Sequence, residues 1–525
     1  MTTLRWDFPY AWQRKPVLAG NVVATSQPLA AQAGMAMLRQ GGNAVDAAVA
    51  TAIALTVVEP TMNGIGGDAF ALVWDGTRLH GLNASGCAPH AWTPQRFAGR
   101  DAMPTTGWDA VTVPGEVSGW VALSKRFGRL AFADLFAPAI EYARSGFPVS
   151  PTVARQWRKD AATLGHFQAF RETFLPRGRA PEAGEWFSCE AQARSLELIA
   201  ASDGEAFYRG ELAENIVADS AAHGGAMSLR DLAHQRAEWV DPVGREYRGC
   251  AVHEIPPNGQ GVAVHMALGI LAHTDIAILE PDSADSLHLQ MEALKLAFAD
   301  LYRHVGDIAA MRTSVDQLLD RDRLARLARK IDMRRAQFPR HDPLPSGDTV
   351  YLASADAGGM MVSYIQSNYF PSGIVVPRTG ISMQARGAAF SLERGHVNEV
   401  GGGKRPFHTI IPAFITRDGG PWLSFGIVGT TLQPQGQVQL IVRMLDHGAN
   451  PQAACDAPRF RLGNGPDVLV ETAFDKPVVD ELNRRGHRAT YGDVLDFGCA
   501  QLVMKLERGY LAASDPRRDG QAAGY

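Results

Sequence analysis

Cysteine is scarce and scattered in this sequence: Cys87, Cys189, Cys250, Cys455 and Cys499, with no CxxC spacing. That pattern excludes a disulfide framework and a thiolate zinc site. Long apolar runs are missing as well. The longest, AVDAAVATAIALTVV, carries Asp46 and falls short of the roughly 20 residues a bilayer-spanning helix needs. No apolar segment follows the start of MTTLRWDFPYAWQRKPV, which predicts no secretory leader and a reducing cytoplasm. Neither sign of charge is in excess. A net charge of −4 gives no electrostatic reason to expect nucleic acid or an anionic membrane as partner. Common catalytic signatures are absent too: there is no GxSxG elbow, no HExxH, no Walker A and no His/Cys ligand cluster.

What is present is an ordinary globular composition, 46% hydrophobic and 20% charged, in a chain long enough for a large core. SQPLAAQAGMAMLRQGGNAVDAAVATAIALTVVEP reads as two Ala-rich helices, separated by Gly41-Gly42, with Asn43 as N-cap of the second. NGIGGDAFALVWDG reads as a glycine turn feeding a strand. It lacks GxGxxG spacing and precedes its strand, whereas a dinucleotide loop follows one. Residues 115–240 look mostly helical, and VHEIPPNGQGVAVHMALGILAH reads as strand, loop and buried helix. DSLHLQMEALKLAFADLYRHVGD reads as a long amphipathic helix with Leu287, Met291, Leu294 and Ala297 on one stripe. The basic run from Arg321 to Arg340 reads as a solvated helix face.

Beyond SGDTV the pattern turns to strands. TVYLASA and MMVSYIQS flank a DAGG turn, HTIIPAFIT and PWLSFGIV flank RDGG, and two further strands close the chain. Strands and long helices in both parts point to a layered α/β sandwich. From the residues alone, Thr349 has two readings: a strand residue after a loop, or a new N-terminus. A Thr hydroxyl needs a base within reach, and an N-terminal Thr carries one in its own amine.

GGNAVDAAVATAIALTVVEPTMNGIGGDAFAL, MEALKLAFADLYRHVGD, GDTVYLASAD, GKRPFHTIIPAFI and DAPRF, in this order and spacing, resemble the γ-glutamyltranspeptidase family over essentially the whole chain. The resemblance implies an N-terminal-nucleophile hydrolase fold, a four-layer αββα sandwich, made as a single precursor. It implies self-cleavage between Asp348 and Thr349, giving a large subunit (1–348) and a small one (349–525) that form one folded unit, with a dimer of that heterodimer in prospect. It makes Thr349 the nucleophile and the backbone N–H groups of Gly429 and Thr430 the oxyanion donors. Thr430 stands where the family has a second glycine, and the donor survives only if the turn does not need positive φ there. No metal or organic cofactor is implied.

The substrate clamp departs from the family. Ser85 stands in place of the Arg that grips the glutamyl carboxylate, and Ala388 in place of the Asp that grips the amine. His408 and Thr409 replace a serine pair, and Ile365 and Ser367 replace a Thr-x-Asn pair. NASG, PPNGQG, IQSNYF and RPFHTIIPAF resemble the branch that includes oxamate amidohydrolase. That implies hydrolysis of a small amide through an acyl group on Thr349, with Ser85, Ser367, Arg386, His408 and Thr409 around the substrate. Asn63 and Asn83 are further candidates. Arg386 also reads as a surface or inter-subunit ion pair, and His408 as a hydrogen-bonded core histidine. The competing functions are a γ-glutamyl hydrolase or transpeptidase with an altered clamp, an acylase for a larger amide, and an uncleaved relative that only binds a small ligand.

Overall fold

A computed structural model describes residues 9–10, 14–339 and 347–525, the Asp348 side chain excepted. Most of the N-terminal stretch, Arg340 and the Pro345-Ser346 lead-in to the strand that carries Thr349 lie outside the described residues.

Two seven-stranded sheets form the centre. The first runs in the order Gln521–Gly524, Val22–Thr25, Asp348–Ala355, Met361–Tyr369, Asp68–Trp74, Leu79–Ala84, Glu238–Val240. The second runs Val17–Ala19, Tyr510–Ser514, Ala500–Lys505, Gly420–Ile427, Ala413–Arg417, Cys250–Glu254, Val243–Tyr247. Alternation along the strands sends one set of side chains between the sheets. Phe70, Leu72, Tyr351, Ile365, Phe414 and Val503 belong to that inner core. The opposite faces carry separate cores against helices: Ala44–Val58 on the first sheet, Val262–Leu271 and Ala284–His304 on the second. The layers are therefore αββα, as expected.

Local chemistry sets these elements. Asn43 caps Ala44–Val58 by accepting from the N–H groups of Val45 and Asp46, while Asp46 accepts from Asn43 N–H. That helix is buried along its whole length, as its predominantly apolar sequence requires. The hairpin of Asp348–Ala355 and Met361–Tyr369 forms around the expected turn.

Four readings need correction. The strand expected from His408 starts only at Ala413, because the preceding residues bond side chains and loops instead. The chain closes with three strands, since the small and polar Gln521–Gly524 pairs with Val22–Thr25 through backbone bonds. A small three-stranded sheet, Phe460–Leu462, Asp467–Val470 and Arg488–Tyr491, was not anticipated. The basic run is helical only over Arg321–Ala328. Among the described residues no helix is long and apolar enough to cross a membrane.

Candidate active site

Strand register gathers the candidate residues at one end of the sandwich. Thr349 is the second residue of its strand, Ser367 lies near the end of the antiparallel neighbour, and Ser367 pairs with Asp68 at the head of the next. Ala69 pairs with Ala84, which brings Ser85 to the same end. In the facing sheet, Gly420–Ile427 runs into the Gly429–Thr431 turn, and the helix Leu432–Ile441 follows.

Thr349 is buried and sits at a register shift: Asp348 pairs with Tyr369, but Val350 with Gln366. The extra residue bulges the partner strand and re-aims side chains there. Tyr369 takes a φ of 65°, and its N–H donates to Ser367 Oγ at 2.7 Å. Thr349 Oγ1 donates to the same Ser367 Oγ at 3.2 Å. Left-handed conformations cost a non-glycine residue about 1–2 kcal/mol and cluster at functional sites. Across the gap Thr430 is a second such residue at φ 56°, next to Gly429 at φ 124°. The turn therefore does adopt positive φ at Thr430, and a β-branched residue bears it. Among the described residues neither turn N–H bonds a backbone carbonyl. Both stand at a helix N-terminus, where the dipole favours negative charge.

Arg386 is no surface ion pair. It is 0% exposed, Nη1 donates to Thr409 Oγ1 at 2.8 Å, and its guanidinium lies 4.4 Å from the Tyr369 ring centroid. Among the described residues Nε and Nη2, one edge of the guanidinium fork, have no hydrogen-bond partner. Burial lowers its pKa to about 10, partly offset by Asp68, so it remains charged at neutral pH.

His408 meets both of its readings: a fully buried, bonded histidine inside the cluster. Its Nδ1 accepts from Ile410 N–H at 3.4 Å, so Nε2 carries the proton toward Asp68 Oδ2 at 3.1 Å. Burial, reinforced by Arg386 and Arg405, holds it neutral. Asp68 also accepts from the N–H groups of Gly86 and Gly115, at 3.1 and 2.9 Å. Burial raises its pKa to about 7 against the pull of Arg386. Glu116, buried beside it with neither carboxylate oxygen bonded, is pushed well above the usual range by burial and by Asp68.

No hydrogen bond joins Ser85 to Arg386 among the described residues. The Ser85 hydroxyl donates to Asn83 Oδ1 at 2.7 Å, and Asn83 in turn donates to Asn258 at 3.0 Å. Asn63 lies outside this group, bonding Leu55, Glu59 and Gln366. Ala388 is buried beside Tyr369 and offers no polar group. Asp68, Tyr369 and Gln260 were missed from the sequence. Gln260 donates to the carbonyls of both Thr409 and Thr430 and so ties the Arg386 cluster to the turn. A cavity of about 270 Å³, lined by Met62, Arg155, Gly347, Gly429, Arg461 and Arg518 among others, opens beside the junction.

One buried group elsewhere has the residue types of a metal site, His288, Glu292 and His487. Its bonds are already internal. Lys295 donates to Glu292 at 2.8 Å and meets His487 Nδ1 at 3.3 Å, His487 Nε2 meets His288 Nδ1 at 2.8 Å, and His288 Nε2 donates to the Asp332 carbonyl. Lys295 supplies the cation there.

An αββα sandwich with a Thr heading a central strand, opposite a strained turn at a helix N-terminus, is the fold of the N-terminal-nucleophile hydrolases. The sequence profile of gamma-glutamyltranspeptidase matches residues 30–525, and the chain belongs to that family, as a hydrolase. It is 38% identical to a glutathione hydrolase-like proenzyme of Bacillus subtilis, over 96% of this chain and 98% of the relative. It is 37% identical to an oxamate amidohydrolase proenzyme of Klebsiella pneumoniae, over 95% and 97%. The crystal structure of a cephalosporin acylase from Bacillus halodurans superposes with a TM-score of 0.94 at 46% identity, covering 99% of each chain.

Proposed function

We propose that the protein cuts itself between Asp348 and Thr349 and, as the resulting pair 1–348 and 349–525, hydrolyses a small anionic amide such as oxamate. The observation that carries the substrate class is Arg386, buried and charged, with Nε and Nη2 left unpaired. A fork of two parallel N–H donors matches a carboxylate, and burial without a partner costs the fold unless a ligand supplies one. The proenzyme names of the relatives, and oxamate amidohydrolase among them, support the reading.

In the precursor, Thr349 Oγ attacks the Asp348 carbonyl carbon, its proton passing by way of the Ser367 hydroxyl to the departing Thr349 nitrogen. The Gly429 and Thr430 N–H groups stabilise the oxyanion, a contribution of about 3–4 kcal/mol for such a donor. The C–N bond breaks, leaving an ester on Oγ and a free amine on Thr349, and water hydrolyses the ester. In the mature enzyme that amine, with a pKa near 8 in model peptides, takes the Oγ proton as the hydroxyl attacks the substrate amide. The proton passes to the leaving nitrogen, which departs as ammonia from a primary amide. Water then releases the acid. No step calls for a metal or organic cofactor.

A γ-glutamyl substrate would also need an anionic partner for its α-amine, and Ala388 supplies none. The cavity of about 270 Å³ beside Gly347 and Gly429 favours a second reading, an acylase for a longer acyl or amine group. The test is ammonia or amine release from oxamate, its neutral analogue oxamide, a γ-glutamyl anilide and a glutaryl anilide. Preference for oxamate over oxamide supports the proposal, while turnover of the γ-glutamyl anilide alone would overturn it.

A further inference from the structure

The hydroxyl of Thr430 makes two bonds that the oxyanion role of its backbone does not require. It donates to the Gly347 carbonyl and accepts from the Gly347 N–H, both at 2.5 Å. Gly347 is the second residue before Thr349, on the side that a cut would leave with the larger piece. It has no room for a side chain: an added Cβ would lie 2.0 Å from the Tyr369 carbonyl oxygen. Gly347 is thus pressed on the bulged strand at Tyr369 and held through both of its backbone polar groups by Thr430.

We propose that the Thr430 side chain is a positioning residue for self-cleavage, a clamp that holds the chain entering the Asp348–Thr349 bond against the oxyanion turn. The inference rests on the cleavage site proposed above. Fixing both polar groups of Gly347 fixes the path by which the Asp348 carbonyl is delivered, and orientation of this kind lowers the barrier of an intramolecular attack. Thr430 also holds φ at 56°, a conformation that a glycine would adopt without strain. The side chain is therefore kept at a conformational cost, and its contact is with Gly347. The clamp acts in the precursor only. Once the Asp348–Thr349 bond is broken, Gly347 is no longer joined to the nucleophile strand, and its release would extend the adjoining cavity toward Thr349.

The test follows the appearance of the fragment beginning Thr-Val-Tyr-Leu by intact mass in freshly refolded full-length chain. Thr430→Ser keeps the hydroxyl, Thr430→Val keeps the shape without it, and Thr430→Gly removes both the hydroxyl and the strain. Fragment formation should slow about ten-fold or more in the Val and Gly variants, the worth of one net hydrogen bond or better, and the Ser variant should restore it. Where one hydroxyl-free variant fails to fold, as read from its thermal transition, the other decides. Val or Gly variants that mature at the wild-type rate, or a Ser variant as slow as they are, would overturn the clamp. So would an equal loss of turnover in the matured fraction, because that assigns the defect to the turn's N–H donors. A wild-type chain that never yields the fragment sinks the cleavage site itself, and the clamp with it.

Discussion

Replacing Arg386 by Lys keeps the buried charge beside Asp68 and removes the planar fork. Lysine presents a point charge on a flexible stem, so it cannot offer two parallel donors to one carboxylate. In the structure one edge of the guanidinium, Nε and Nη2, awaits a partner, while Nη1 holds Thr409. A charge-assisted bond is worth about 1.5–3 kcal/mol net, so losing one should lower kcat/KM for oxamate by roughly 10- to 150-fold, and losing both by more. Arg386→Met goes further by leaving Asp68 without its cation, and the loss should be larger. The assay is ammonia release from oxamate and from oxamide by each variant, normalised to the fraction carrying a free Thr349. The carboxylate reading requires the oxamate-to-oxamide ratio to collapse. Equal losses on both amides would show that Arg386 only shapes the site, and an unchanged ratio would refute the reasoning.

Three further outcomes follow from the same geometry. Thr349→Ala should abolish both cleavage and activity, so that intact mass shows a single chain of 56.6 kDa where the wild type shows two pieces summing to that mass plus one water. Asp68, with its pKa near 7, shares the cluster with Arg386, and a bound anion raises its proton affinity further. The anion should therefore bind best below about pH 7 and lose affinity as pH rises and Asp68 ionises; Asp68→Asn should flatten that rise in KM. Lys295→Met should strip Glu292 of its buried cation and destabilise the protein by about 3–5 kcal/mol, read from denaturant unfolding of the uncleaved Thr349→Ala background.

Much of the frame could be read from residues in sequence. The capped Ala-rich helix, the hairpin after Thr349 and the strand running toward Gly429 all announce themselves through periodicity and turn chemistry. The site was legible only in part. Arg386 lies among small residues in RGAAF, a context in which a lone charge reads as exposed; its burial comes from the Tyr369 ring and the Thr409 loop, which arrive from elsewhere. Asp68 was in plain view at the head of the apolar run AFALVW, and a carboxylate opening a fully buried strand is the signal that would have found it. The positive φ of Tyr369 left no trace, because tyrosine normally avoids it, and at Thr430 the one hint was the family glycine whose place it takes. Gln521–Gly524 escaped because a strand that pairs by backbone alone needs no hydrophobic alternation.

The order of strands in the first sheet has a consequence for how the molecule can be taken apart. The strand headed by Thr349 lies between Val22–Thr25 and Met361–Tyr369, and the sheet's far edge is formed by the last residues of the chain beside Val22–Thr25. Segments from before and after residue 349 are thus threaded through one another in both seven-stranded sheets. Folding while the chain is continuous is a unimolecular event. After a cut at this junction, regaining the same sheet becomes an encounter between two molecules, slower at low concentration and open to competition from aggregation. Maturation would then turn a reversible fold into one whose lifetime is set by its rate of opening.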